Sequence, residues 1–265
     1  TTEIYTLSLH DALPISELRG GPSSRWPGWL AFSAQYSTNP RRALSTGFGG
    51  SFKKGDESNL DNWDTWVDLI YRPSNTLRLT LSPWYARTIN AMQYVDTPSY
   101  GDEDRYVFGH LDQRTFAFTF RVDYCLTPNL TVQYYGAPFL SAGRYRDFKR
   151  ITDPRAGRFA DRYRQFTAAE VARDAESGDY AVDENVDGTA DYEFSNPDFN
   201  FREFRSNLVA RWEYAPGSTL FLVWSQARSA CLADGEFDVR GDLDGLFAEH
   251  PHDVFLIKFN RWLSL

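Results

Sequence analysis

From Thr115 to Leu126 the chain alternates strictly. Phe116, Phe118, Phe120, Val122, Tyr124 and Leu126 take one side, and Thr115, Ala117, Thr119, Arg121, Asp123 and Cys125 the other. A period of two puts successive side chains on opposite faces of a strand, so this segment has one greasy face and one polar face. The turn Thr127-Pro128-Asn129 follows, and the next run alternates again, with Leu130, Val132 and Tyr134 against Thr131, Gln133 and Tyr135. Leu77, Leu79 and Leu81 oppose Arg78, Thr80 and Ser82. Leu208, Ala210, Trp212 and Tyr214 oppose Asn207, Val209, Arg211 and Glu213. The pattern predicts strands near 29–36, 43–53, 62–72, 76–87, 113–126, 130–140, 200–214, 219–226 and 253–265.

Several of these reach the nine or more residues a tilted strand needs to cross a bilayer, whereas soluble strands commonly run to about five or six. The connections sort by length. Ser37–Arg42, Pro73–Asn75, Thr127–Asn129 and Ala215–Ser218 are short; Lys54–Asp61, Thr88–Asp112, Ser141–Phe199 and Ala227–His252 are long. Short and long alternate, as expected for an antiparallel up-and-down transmembrane β-barrel with short periplasmic turns and long extracellular loops. Such a barrel needs an even strand number, so the odd number predicted implies strands missing upstream. A soluble β-rich carbohydrate-binding protein or glycan-active hydrolase is the alternative.

Composition leaves both readings open. Aromatic residues make up 16% of a chain whose formal net charge is -8 and whose mean hydropathy is -0.50. A barrel with aromatic girdles, a polar lumen and polar loops has this mixture. The acidic balance argues against a nucleic-acid partner. Cys125 and Cys231 form no zinc or redox spacing.

The first fifteen residues, TTEIYTLSLHDALPI, correspond codon by codon to a translated short-read sequencing adapter. Residues 1–16 are therefore set aside as non-native. Residues 17–265 are expected to be the C-terminal part of an outer-membrane barrel that begins upstream of Glu17. His10 and Asp11 fall in the excluded segment and are not catalytic candidates.

Arg78, Arg121, Asp123, Arg205, Arg211 and Glu213 fall on predicted polar faces. They are expected to face a lumen, where mixed charge selects polar solutes or pairs internally. Asp64 and Asp68 share a side with Trp66 and Ile70, so that strand's facing is open. Trp63, Trp84, Tyr85, Tyr94, Tyr100 and Tyr106 are expected to form an interfacial belt. Asp183, Asn185, Asp187 and Asp191 have the spacing of a Ca2+ loop, with Gly188 at its sharp turn. Phe194 stands where a bidentate Glu is normal; the alternative is a solvated acidic loop. Thr167-Ala-Ala-Glu170 is a capping-box pattern predicting a short helix near 168–176, and Asp242–Ala248 suggests a second helical turn. No nucleophile–base pair or phosphate loop is present, so no catalytic residue is named.

The terminus, with Lys258, Asn260, Leu263 and Leu265, resembles the signal read by the bacterial barrel-assembly machinery. Asn stands for the usual Gly and Leu for the terminal Phe. LRGGP (Leu18–Pro22), YVFGHLDQ (Tyr106–Gln113), YYGAPFLSAGRY (Tyr134–Tyr145), Asn196–Gln226 and His250–Leu265 resemble one family of bacterial outer-membrane proteins. These carry a family-9-like carbohydrate-binding domain followed by a C-terminal barrel of unknown function. The resemblance implies a barrel in outer-membrane lipid, porin-like or an anchor, with a glycan-binding domain upstream.

Overall fold

The protein is represented by a computed structural model, which describes residues 2–9, 14–15, 23–25 and 27–263. One large antiparallel sheet dominates. Its main strands are β1 (Thr2–Leu9), β2 (Trp29–Ser37), β3 (Leu44–Gly55), β4 (Leu60–Tyr71), β5 (Leu77–Asp96), β6 (Val107–Thr127), β7 (Leu130–Ile151), β8 (Phe199–Ala215), β9 (Ser218–Leu232) and β10 (His252–Asn260). Each pairs with its neighbour in sequence, so the order is a pure meander from β1 to β10. The sheet is open: β1 and β10 are its two edges.

Each predicted strand has its counterpart in β2–β10. The Thr2–Leu9 stretch, set aside from fold reasoning, pairs along β2 from Thr2↔Tyr36 to Leu9↔Trp29. An open edge offers unpaired N–H and C=O groups to any strand-compatible segment beside it.

Three strands are much longer than their alternation indicates. β5, β6 and β7 have 20, 21 and 22 residues. At roughly 3.3 Å per residue each is about 70 Å long, more than twice a hydrocarbon core even before tilt. The extra length lies toward the long connections. There the period-two signal fails for two reasons. The ladders shift register between Phe108 and His110 and between Gly109 and Leu111, and Val107, Phe108 and Gly109 are all buried, so adjacent residues are covered on both sides.

The alternation of connection lengths fails once. The expected long connection Lys54–Asp61 is a tight turn around Asp56–Ser58, because Lys54 and Asp61 are themselves ladder partners. Glu57 and Ser58 take positive φ to close it. The last strand also ends early, at Asn260 rather than at the end of the chain. Trp262 donates its backbone N–H to Ser218 Oγ at 3.0 Å and lies against Gly217, which carries the chain off the ladder.

The register resolves two faces across the whole sheet. Phe52↔Trp63, Leu69↔Leu81, Phe120↔Leu81, Val122↔Tyr134, Tyr134↔Leu208 and Leu222↔Ile257 link one continuous apolar face. Its side chains are open: Phe48 is 52% exposed, Trp212 50% and Ile257 73%. Among the described residues this face is covered only at one end, by helix α1 (Val239–Ala248) and the residues leading into it. Leu246, Leu140 and Phe204 form the contact, with Phe116, Phe237, Val239 and Leu243 around them.

α1 is tied down by polar contacts as well. Buried Asp242 accepts from Arg202 at 2.8 Å and from Asn200 at 2.9 Å. Asp238 caps the helix by accepting from the N–H of Arg240 at 3.2 Å. Replacing a capping carboxylate removes a partner for an orphan N–H. Asp238→Ala is expected to cost the helix about 1 kcal/mol, seen as faster amide exchange confined to 239–248. The helix expected near 168–176 does not form. Glu170 does accept from the N–H and hydroxyl of Thr167, at 2.8 and 2.9 Å. The same carboxylate also pairs with Arg164, and the chain goes straight into the strand Val171–Arg173.

Candidate functional site

The second face is polar, and it carries the charges. Arg78 stands directly opposite Asp123. Arg121 lies over the Tyr135 ring at 5.5 Å, and Gln133 donates to Asp123 at 3.1 Å. Two strands on, Arg205 pairs with Glu203 at 2.7 Å and Arg211 with Glu213 at 3.0 Å. Ser225 donates to Asn207 at 2.6 Å. The structure therefore brings Arg78, Arg121, Asp123, Arg205, Arg211 and Glu213 onto one surface, as the alternation of their strands requires. Glu203, Gln133, Tyr135 and Asn207 were not singled out from the sequence. Their parity matched that of Arg205 and Arg121, and that signal was available.

The facing of β4 is resolved by the same register. Thr65↔Tyr85 and Trp63↔Arg87 place Trp63 with the apolar face, and Asp64, Trp66, Asp68 and Ile70 with the polar one. Trp66 is accommodated there because β3 offers no side chain beneath it. A Cβ on Gly49 would sit 2.7 Å from the indole, and one on Gly47 3.3 Å. Of the expected aromatic belt, Trp63 and Tyr85 meet on the apolar face with ring centroids 5.2 Å apart. Trp84 points the other way. Tyr94, Tyr106 and Tyr100 instead pack into two apolar cores formed with the long connections.

Those cores belong to the connection between β7 and β8. Its three short strands, Val171–Arg173, Tyr180–Val182 and Tyr192–Phe194, make a small sheet. Val182, Tyr192, Phe194 and Phe166 bury against Val107, Phe148 and Tyr145. Tyr145 is the register partner of Leu111, which shares the face of Thr115 and Arg121. This small sheet therefore sits on the polar side of the wall, at its far end.

One carboxylate anchors it. Glu184, 10% exposed, lies 3.1 Å from Arg150, 3.5 Å from Arg105 and 3.8 Å from Arg164. It also accepts from the Tyr192 hydroxyl at 2.7 Å. Burial, reinforced by that hydrogen bond, pushes the Tyr192 phenol well above its usual range. No sequence motif marks this hub, because its members are dispersed from 105 to 192.

The acidic stretch before the third short strand folds onto itself. Asp183 accepts from the N–H groups of Asp187 and Gly188, at 3.2 and 2.7 Å. Asn185 accepts from Asp187 at 2.9 Å, Asp187 from Thr189 at 2.9 Å, and Asp191 from Glu184 at 2.8 Å. Their oxygens serve the backbone of the loop. Among the described residues no group of three or more His, Cys, Asp or Glu is placed to hold a metal.

At the terminus, Lys258 and Asn260 stand on the polar face opposite Phe221 and Thr219. Leu263 lies beyond the strand and is 70% exposed. Leu265 lies outside the described residues, as does the Leu18–Pro22 stretch.

The family described as "Domain of unknown function (DUF5916)" matches residues 17–264. No curated protein matches the chain. Among solved structures, a chain titled "Copper transporter OprC" is similar, with a TM-score of 0.48 and 11% identity; the match covers 97% of this chain and 38% of that one.

Proposed function

We propose that this chain, which belongs to the DUF5916 family, forms part of the wall of a bacterial outer-membrane β-barrel whose polar interior conducts small hydrophilic solutes. One observation carries the reading: among the described residues an apolar face spans the sheet from β2 to β10 with no second protein layer on it except α1 at one end. Water would penalise so large a patch, whereas hydrocarbon accepts it. The stripe on β6 from Phe116 to Tyr124 is nine residues long, about the length a tilted strand needs to cross a bilayer. Tyr71, Tyr124 and Trp212 lie toward its short-turn end and Trp63 and Tyr85 toward the other, as two interfacial girdles would.

An open edge is not tolerated in hydrocarbon, so β10 and, with the Thr2–Leu9 stretch set aside, β2 imply closure by further strands. The polar face then lines the lumen, and the small sheet held by Glu184 narrows its outer mouth. A second reading, an anchor for a glycan-binding module, is favoured by the local pairing of wall charges such as Arg205–Glu203 and Arg211–Glu213. Internally neutralised charges leave less field for solutes to feel.

The test is reconstitution of the longer protein that contains this chain. Heat-modifiable gel mobility and insertion into vesicles are expected. Stepwise single-channel currents would support the conduit, and a folded but silent barrel would move the function to anchoring. A protein that stays monodisperse without detergent would refute the membrane wall itself.

A further inference from the structure

Where the apolar face ends, toward the long connections, four of the five strands from β3 to β7 each place a basic residue on that same face. Lys54 follows Phe52 on β3, Arg87 follows Tyr85 on β5, Arg114 precedes Phe116 on β6, and Arg144 follows Ala142 on β7. The register sets Arg87 directly opposite Arg114, and Asp112 opposite Arg144. Like charges facing each other across a ladder are destabilising, so the arrangement gains nothing for the sheet by itself. Asp112 is committed to Arg87 through two hydrogen bonds, at 2.9 and 2.7 Å.

Asp112, Arg114, Arg144 and Arg146 line a concave pocket with Ala142, Gly235, Glu236 and Phe237, the Asp112 carboxylate there being the one held by Arg87. Arg144 and Arg146 are 52% and 62% exposed. Glu236 reaches Arg144 from the connection that leads into α1, and it is itself 70% exposed. Arg146 also touches Asp147 at 3.4 Å and His110 at 3.1 Å. Phe237 packs edge-on to Tyr85 at 6.2 Å, so an apolar wall adjoins the cationic one.

We propose that this rim pocket binds the phosphorylated headgroup of a membrane lipid, with Arg114 and Arg144 holding the phosphate. The proposal rests on the membrane reading above. Guanidinium forks match phosphate oxygens in bidentate geometry. A phosphate taken between Arg114 and Arg144 would displace the exposed Glu236 and relieve the opposition of Arg114 to Arg87. The tethering of phosphate to acyl chains singles out a lipid over a free ion. The pocket lies on the same face of β6 as Phe118 and the exposed Phe120, so a headgroup held there leaves its chains on the apolar face and the second contact is intramolecular. Basic pockets at the membrane surface take anionic headgroups on the same grounds.

The test uses the same longer protein refolded in neutral detergent, with retention of added lipid read by native mass spectrometry. The probes are a diphosphorylated glucosamine-disaccharide lipid, the same lipid after enzymatic dephosphorylation, and inorganic phosphate as competitor. The phosphorylated lipid should be retained at least about tenfold more tightly than the dephosphorylated one, and the double variant R114Q/R144Q should lose about that factor. R114K/R144K keeps the charge without the fork and should fall between. Unchanged circular dichroism keeps these variants comparable.

Equal retention of the two lipids, or parental binding by R114Q/R144Q, overturns the site. Displacement by inorganic phosphate at matching concentration overturns the lipid as its source. If the chain enters micelles and vesicles but fails these comparisons, the headgroup site alone is lost. If it enters neither, the membrane wall fails and takes the site with it.

Discussion

Glu184→Ala should detach the small sheet of the β7–β8 connection while leaving the large sheet paired. The carboxylate faces Arg150, Arg105 and Arg164 and takes the Tyr192 hydroxyl. Removing one partner of a buried ionic cluster leaves the others desolvated and unpaired, at a cost of about 3–5 kcal/mol. Arg150 lies on β7 and Arg164 on the strand Tyr163–Gln165 that pairs with it, while Glu184 flanks the small sheet and Tyr192 forms part of it, so the loss falls on the joint between the two. The expected signature is fast amide exchange and proteolytic nicking within 163–194, with β6 and β8 still protected. Glu184→Gln keeps a hydrogen-bond acceptor and should lose less. If exchange in the connection stays at the parental rate in both variants, the apolar cluster around Val182 and Phe194 holds the small sheet alone. In a conducting barrel the alanine variant should also flicker or widen, because the sheet that narrows the mouth is no longer fixed.

Phe120→Arg and Thr119→Arg should differ sharply although they are neighbours. Phe120 is the midpoint of the apolar stripe from Phe116 to Tyr124, and Thr119 points to the polar face. In a bilayer an arginine at mid-depth on the lipid side costs about 2–4 kcal/mol. On the polar side it stands opposite Ser82, where water can reach it. The measurement is refolding into vesicles under urea titration. A large shift for Phe120→Arg with a small one for Thr119→Arg supports hydrocarbon on the apolar face. Equal, small shifts would place water there, and the barrel reading would not survive. The pair is informative because both substitutions add the same charge one residue apart on the same strand.

How much of this was legible beforehand follows from what a single strand can encode. Alternation is local: Phe116 to Leu126 specifies a strand, its two faces and the side that avoids water, whatever its neighbours are. The same holds for Arg121, Asp123, Arg211 and Glu213, whose shared face follows from parity once antiparallel pairing is granted. Short turns such as Thr127-Pro128-Asn129 set which strands are adjacent. The meander and the polar surface were therefore written in the sequence. So was the α1 segment, through Asp242–Ala248.

Tertiary structure decided everything that depends on residues far apart in the chain. The upper halves of β5, β6 and β7 lose their period because bulges and burial on both sides cancel the contrast between faces. The helix expected after Thr167 yields to a strand because Glu170 is claimed by Arg164 and the apolar residues beyond it by Phe148 and Tyr145. The Glu184 hub gathers arginines from three separate segments, and the rim pocket joins strands to a segment near residue 236. A one-dimensional pattern records only what each residue prefers beside its immediate neighbours. The energy of an ion pair or a buried ring is set by a partner whose distance in space is independent of its distance along the chain.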